Sequence, residues 1–154
     1  MLINAVKSVV AVFGQPPPHL PTFTFGNTVL EVVPKLTYVG ITFQSTHAEI
    51  FASHYSTKAS KARVIGHAIL GVESMIGSLP PYEGHKLYMA RVDPHLTGGC
   101  KVVLDVHPLA QQLVDVQYSF LCQLLKVNNH AMIALLFTET CVIPLQFCRA
   151  QLAL

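Results

Sequence analysis

Eight carboxylates, eight histidines and four cysteines are the residues of this 154-residue chain best suited to polar chemistry. The carboxylates are Glu31, Glu49, Glu73, Glu83, Asp93, Asp105, Asp115 and Glu139. None are adjacent and no Asp-x-Asp pair occurs, so no local pair is set to hold two divalent ions for phosphoryl transfer. The histidines (His19, His47, His54, His67, His85, His95, His107 and His130) are scattered, with His47 and His54 flanking the point where a strand pattern gives way to a helical one. Cys100, Cys122, Cys141 and Cys148 show no Cys-x-x-Cys spacing, and Cys141 and Cys148 lie seven apart, as small buried hydrophobes on one helical face would. The expectation is therefore neither a metal centre nor a disulfide framework. Ser, His and Asp are present but nothing groups them, and GxxxxGK, GxGxxG and GxSxG are absent from the sequence. These residues give no self-sufficient active site.

The remaining candidates are cationic. Lys58, Lys61 and Arg63, with His54, fall at the start of a helical stretch, where positive charge opposes the helix dipole unless an anion lies nearby. A solvated basic face is the plain alternative. A net charge of +2 and a pI of about 8.4 are too mild to imply a nucleic-acid partner unaided.

Composition bounds what must carry these groups. Hydrophobic residues make up 51% and charged residues 12% of the chain, against about 25% charged in ordinary soluble domains. Too few charges remain to cover a globule of this size, so the chain is expected to pack on something else or to be part of a longer protein. A spanning helix needs about 20 apolar residues, and the best candidate, "AMIALLFTETCVIPLQF", is interrupted by Glu139 and Pro144. The N-terminal "MLINAVKSVVAVFG" carries Lys7 within its apolar run and no cleavage pattern after it. The expectation is an intracellular chain, not secreted, with no membrane partner, ending abruptly at Leu154 as a truncated one would.

The first 45 residues read as strands. "SVVAVFG" is an apolar run ended by Gly14, "QPPPHLP" is an extended loop, and "TFTFGNTVLEVV" alternates on either side of a Gly26–Asn27 turn. "KLTYVGITFQS" reads as one more strand, with Val39, Ile41 and Phe43 on one face and Tyr38, Gly40 and Thr42 on the other. A glycine inside it asks what approaches its backbone so closely. This predicts a small antiparallel sheet of about four strands.

Beyond residue 50 the period becomes helical. Ala62, Ile65, Ile69, Val72 and Ile76 form one apolar stripe. "LPPYEG" stops that helix and "HKLYMARV" begins another, which Asp93–Pro94 ends or kinks. Leu109, Leu113, Val116, Phe120 and Leu124 mark a helix of about four turns, and "AMIALLFTET" and "PLQFCRAQLAL" read as two short ones, the second with Pro144 near its first position. The fold class is α+β with segregated layers: residues 1–45 a small antiparallel sheet, residues 46–154 a helical region.

The order of these pieces resembles the end of the palm, the primer grip and the thumb of reverse transcriptases from non-LTR (LINE-like) retrotransposons, of the fungal type. Asn4, Lys7 and Ser8 stand where that family has Asn-x-x-Lys-Thr/Ser before a strand. Tyr38, Val39, Gly40 and Ile41 stand where it has Tyr-Leu-Gly-Val/Ile, with Val39 replacing the usual leucine. "STHAEIFASHYSTKASKAR", "LYMARVDPHLTGGCKV", "VQYSFLCQLLKVNNH" and "LFTETCVIPL" are similar to its thumb.

The resemblance implies that Tyr38, Val39, Gly40 and Ile41 form the primer-grip hairpin, with Gly40 letting a sugar-phosphate approach the backbone. It implies a place for Lys7 near the triphosphate or the leaving pyrophosphate. Lys58, Lys61 and Arg63 would contact a template–primer backbone of RNA or DNA. The family's paired aspartates and their Mg ions lie upstream of Asn4 in the order of its motifs, so this stretch is expected to have no activity and no cofactor of its own. Its partners would be template–primer and the missing palm and fingers. Two other readings stay open: a stand-alone module binding a protein partner through an exposed apolar face, and a small hydrolase using unlinked Ser, His and Asp.

Overall fold

The computed structural model describes residues 4, 7–14, 18–45, 49–103, 105, 107–128 and 132–154. His47, His130 and part of the "QPPPHLP" loop lie outside these residues, as does the side chain of His107. The architecture is α+β, short strands first and helices after. The chain divides into two units, Met1–His54 and Tyr55–Leu154.

In the first unit, six strands pair two by two. β1 (Val9–Val10) runs parallel to β4 (Glu31–Val32), β2 (Thr24–Phe25) pairs antiparallel with β3 (Thr28–Val29), and β5 (Lys35–Tyr38) pairs antiparallel with β6 (Ile41–Gln44). The expected four-stranded antiparallel sheet is thus three separate ladders, one of them parallel. The hairpin at Gly26–Asn27 is present, with Gly26 at φ 59° as a tight two-residue turn requires.

The "KLTYVGITFQS" segment is not one strand but a hairpin, and Gly40 sits in its turn. Tyr38 pairs with Ile41, Thr37 with Thr42 and Leu36 with Phe43. Tyr38 and Ile41 therefore share a face, whereas an unbroken strand would have opposed them. Val39 and Gly40, the two turn residues, both have positive φ (49° and 78°), the signature of a type I′ turn. No atom lies within 4 Å of where a Gly40 Cβ would be. The positive φ is by itself a reason for glycine here, and among the described residues no neighbour adds another.

Thr42 is buried; its N–H donates to His54 Nδ1 at 3.2 Å, and its hydroxyl lies 3.2 Å from that of Thr37. Thr42 and His54 are the buried residues among those described in this unit, and both are polar. Phe13, Leu20, Phe25, Val29 and Val39 are exposed. Two-residue ladders with no apolar core contribute little stability of their own.

The second unit holds most of α1 (Ala52–Gly71), then α2 (Glu73–Ile76), α3 (Pro81–Leu87), a π-helical stretch (Tyr88–Val92), α4 (Asp93–Thr97), α5 (His107–Leu124), α6 (Ile133–Thr140) and α7 (Leu145–Ala153). Pro81 takes the first position of α3, where its missing N–H costs nothing. Pro94 neither ends nor breaks the helix it enters. The preceding turn widens to π register, with the Asp93 N–H bonded to the Tyr88 carbonyl, and the helix resumes. A proline that removes one i→i−4 bond is accommodated by a local π adjustment.

Leu113, Val116, Phe120, Leu121 and Leu124 of α5 are buried, as are Tyr88, Val92 and Leu96 of the π stretch and α4. The Tyr88 and Phe120 rings lie 5.2 Å apart. On α1 the buried line is Tyr55, Ala59, Ala62, Gly66 and Ile69, a stripe of mainly small residues; Ile65 and Val72 are half-buried and Ile76 is 61% exposed. Small residues let α1 lie close to α5, and a Gly66 side chain would begin 3.2 Å from the Phe120 ring.

Gln117, 1% exposed, joins three elements. Its Nε2 donates to Tyr88 Oη and to the Ile143 carbonyl, both at 3.1 Å, and its Oε1 accepts from the Leu145 N–H at 2.8 Å. That last bond satisfies an orphan donor at the start of α7, whose N-cap is Pro144.

α3 meets α5 more tightly still. A Cβ on Gly84 would overlap Leu124 Cδ1 and come within 3.2 Å of its Cγ. Gly84→Ala gains roughly 1 kcal/mol of helix propensity but overpacks a buried leucine at about 1–3 kcal/mol. Net destabilisation of about 1 kcal/mol is expected by urea denaturation. Gly71→Ala, with nothing within 4 Å and no positive φ, is expected to be neutral or slightly stabilising.

Candidate nucleic-acid interface

Every residue that the sequence singles out for binding has a definite place. Lys7 is exposed in a short turn whose N–H bonds the Asn4 carbonyl at 3.1 Å, and Ser8 Oγ donates to the same carbonyl at 2.9 Å. In the β5–β6 hairpin, Tyr38 is 70% and Val39 81% exposed, while Ile41 is half-buried. The hairpin presents its tip, not its strands.

The three cations of α1 do not act as one group. Lys58 and Lys61 lie three residues apart and share a face. Arg63 is displaced from Lys58 by about 140° around the axis and lines a shallow cavity with His67, Gly66, Ser119 and Phe120 on the α1–α5 seam. His54 does not join them: it is buried, and its Nδ1 accepts the Thr42 N–H.

Because α1 begins at Ala52, Lys58 lies beyond the first turn, and the dipole conflict expected from the sequence largely disappears. Lys58 instead reaches the far end of another helix. A side chain at Gly98 would begin 2.8 Å from the Pro94 carbonyl and 3.0 Å from Lys58 Nζ. The ammonium therefore sits where α4 exposes its last carbonyls, the favourable end for a cation. Gly98 keeps that space open.

His95 is half-buried on α4. Burial pushes the His95 imidazole below its ordinary value, and Lys58 and Lys61 push it further. Burial likewise lowers Lys58, with Lys61 adding like-charge repulsion. Among the described residues, none of Lys58, Lys61 and His95 forms an ion pair. Lys58 and Lys61 thus form a small basic patch on one face of α1, with no ion pair among the described residues.

The elements carrying the patch are tied by an interaction that sequence reasoning missed. Arg149 of α7 is 3% exposed. Its Nε donates to Asp105 Oδ1 and Oδ2 at 3.0 and 3.1 Å, its Nη2 to Oδ1 at 2.6 Å, and its Nη1 to the Leu96 carbonyl at 2.5 Å. Tyr55 of α1 donates its hydroxyl to Asp105 Oδ1 at 2.8 Å, and the guanidinium lies 5.7 Å from the Tyr55 ring centre. Tyr55 is one turn from Lys58, and Leu96 is next to His95. One carboxylate and one guanidinium therefore fix the relation of α1, α4 and α7.

The electrostatics follow from that geometry. Burial raises Tyr55 well above the usual phenol range, and its bond to the Asp105 carboxylate raises it again. Burial alone would raise Asp105, but hydrogen bonds from Arg149 and Tyr55 and the Arg149 charge outweigh it, so the carboxyl sits below 3.8. Arg149 has burial against its charge and the Asp105 bonds for it; the bonds prevail and its value is raised.

Among the described residues no group of three His, Cys, Asp or Glu is placed to hold a metal ion. Nor is any single helix among them long and apolar enough to cross a membrane.

Removing Asp105 leaves a buried guanidinium unpaired, so Asp105→Asn is expected to cost about 2–3 kcal/mol at neutral pH. Since the folded carboxyl lies below 3.8, the unfolded chain takes up its proton first as pH falls. The stabilisation is complete above 3.8 and is lost as pH falls through the folded value. Urea denaturation at neutral and acid pH should therefore show the wild-type advantage over Asp105→Asn shrinking in acid; a constant difference would mean that the carboxylate's charge does not matter.

No protein-family model matches this chain, and comparisons with curated proteins and with solved structures found no match.

Proposed function

We propose that this chain is a template–primer-positioning element of a reverse-transcriptase-like polymerase, with the β5–β6 hairpin tip against the primer and α1 against the nucleic-acid backbone. The reading gives the chain no catalysis of its own. The metal-binding carboxylates and Mg would come from the polymerase's palm, and Lys7 would serve near the triphosphate. The motif order around Asn4, Lys7, Tyr38, Gly40 and Ile41 supports it, as does the crowding of Lys58 and Lys61 without an ion pair among the described residues.

The observation that carries the proposal is Val39. It is a β-branched residue at φ 49° and 81% exposed. A left-handed backbone costs such a residue on the order of 1–2 kcal/mol, and Asn or Asp would fit a type I′ turn better. An exposed apolar side chain held in a costly conformation marks a place where contact outweighs local stability. The uncovered strands of the first unit favour a protein partner as well, which under this reading is the remainder of the palm and under the alternative is an unrelated protein.

Val39→Asn separates the contributions. It should stabilise the hairpin by about 1 kcal/mol, read as slower hydrogen exchange at Tyr38 and Ile41. It should at the same time weaken binding of a labelled RNA–DNA hybrid severalfold by fluorescence anisotropy. Equal or tighter binding by the stabilised variant would sink the reading. A protein-binding module would show no hybrid affinity in either form.

A further inference from the structure

We propose that the cleft between α3, the end of α5 and the end of α6 binds a small organic ammonium ion with an apolar body. The inference is independent of the template–primer reading and lies wholly within the second unit.

The cleft is a cavity of about 350 Å³ lined by Pro81, Tyr82 and His85 of α3, by Leu125 just past α5, and by Glu139 and Cys141 at the end of α6. Sites for small ligands run from roughly 300 to 1,000 Å³, so it is large enough for one. Close packing fixes its walls. A Cβ on Gly84 would overlap Leu124, so its absence lets α3 lie tight against α5, and α3 also packs on α6.

Charge decides what the cleft can take. Glu139 is exposed in the last turn of α6, where the helix already presents its negative end, and no basic residue stands in that turn. Among the described residues no backbone N–H closes on the carbonyls of Thr138, Glu139 or Thr140. The Thr138 carbonyl takes only the weak donor of the Cys141 thiol, at 3.6 Å. A carboxylate and open carbonyls thus add the same sign on the α6 side of the cleft. Glu139 has no ion-pair partner among the described residues, and nearby cations are engaged elsewhere. Lys86 Nζ lies 3.4 Å from Glu83 Oε1, and Lys126 Nζ lies 3.6 Å from Glu73 Oε1.

Shape and lining narrow the cation to an organic one. Among the described residues no three His, Cys, Asp or Glu are placed to hold a metal ion, so a bare divalent cation finds too few ligands. Pro81, Tyr82 and Leu125 instead offer an apolar wall to a hydrocarbon body, with Tyr82 67% exposed. The Tyr82 ring already has one ammonium against it, Lys86 Nζ at 4.1 Å from its centre, as the attraction of a cation for an aromatic face allows. An arylalkylammonium meets each feature. Its three N–H donors face Glu139 and the α6 carbonyls, and its ring lies on Tyr82 and Leu125.

The test is an NMR titration of the full chain at neutral pH with phenethylammonium and with its neutral counterpart, phenethyl alcohol. It follows the backbone amides of Leu125, Glu139 and Cys141. Both probes should shift these resonances, with the ammonium binding about fivefold more tightly, the scale of one exposed ion pair. In Glu139→Gln the ammonium should fall to the level of the alcohol, while the alcohol binds as before. That substitution removes a charge opposed to the helix dipole, so the variant is expected to fold at least as stably. Equal affinity of the two probes for the wild-type chain would overturn the site, as would a preference undiminished in Glu139→Gln. Shifts confined to other residues, or none at all, would do the same. The wild-type comparison decides the matter even if the variant fails to fold.

Discussion

A guanidinium that is 3% exposed must have its charge met inside the protein, and Arg149 meets it with one carboxylate, one phenol-linked bridge and one backbone carbonyl. Buried pairs of this kind contribute less to stability than to uniqueness, because the cost of stripping water from the ions offsets much of their attraction. Here the pair and its Tyr55 and Leu96 bonds link α1, α4 and α7. Gln117 acts in the same way for α5, the π stretch and the start of α7. The helical unit is small and its helices short, so polar clamps of this kind supply a register that hydrophobic burial alone leaves loose. The basic patch inherits its definition from them.

The first unit is built on the opposite principle. Its ladders are two to four residues long, its two buried described residues are polar, and several of its large apolar side chains stand exposed. Of the charged side chains, fourteen fall in residues 55–154 and four in this unit, residues 1–54. Within it, the β5–β6 hairpin has the longest ladder and ends in a tip that trades local stability for an exposed valine.

Legibility in the sequence followed the size of the side chains and the distance between partners. Leu113, Val116, Phe120 and Leu124 are long apolar residues at steps of three and four, and they are buried as that period implies. On α1 the same rule led to Ile65, Val72 and Ile76, but the tight face belongs to Ala59, Ala62 and Gly66, whose small side chains barely register in a hydrophobic pattern. Gly40 was visible as an anomaly, yet an alternation rule read Tyr38 and Ile41 as opposed, because a two-residue turn resets the register. The parallel β1–β4 pairing and the Arg149–Asp105 pair, 44 residues apart, have no local signature at all. Lys58 and Lys61 were found by type, but the end of α4 that Lys58 reaches has no local signature.

The most direct test of the proposal that this chain grips a nucleic-acid backbone through a few fixed cations is the salt dependence of its affinity for an RNA–DNA hybrid. Each phosphate neutralised contributes a slope of roughly −0.7 to −0.9 in log affinity against log salt. Lys58 and Lys61, each against one phosphate, predict a slope of roughly −1.4 to −1.8. A flat line, or no affinity for the hybrid at low salt, would contradict the account.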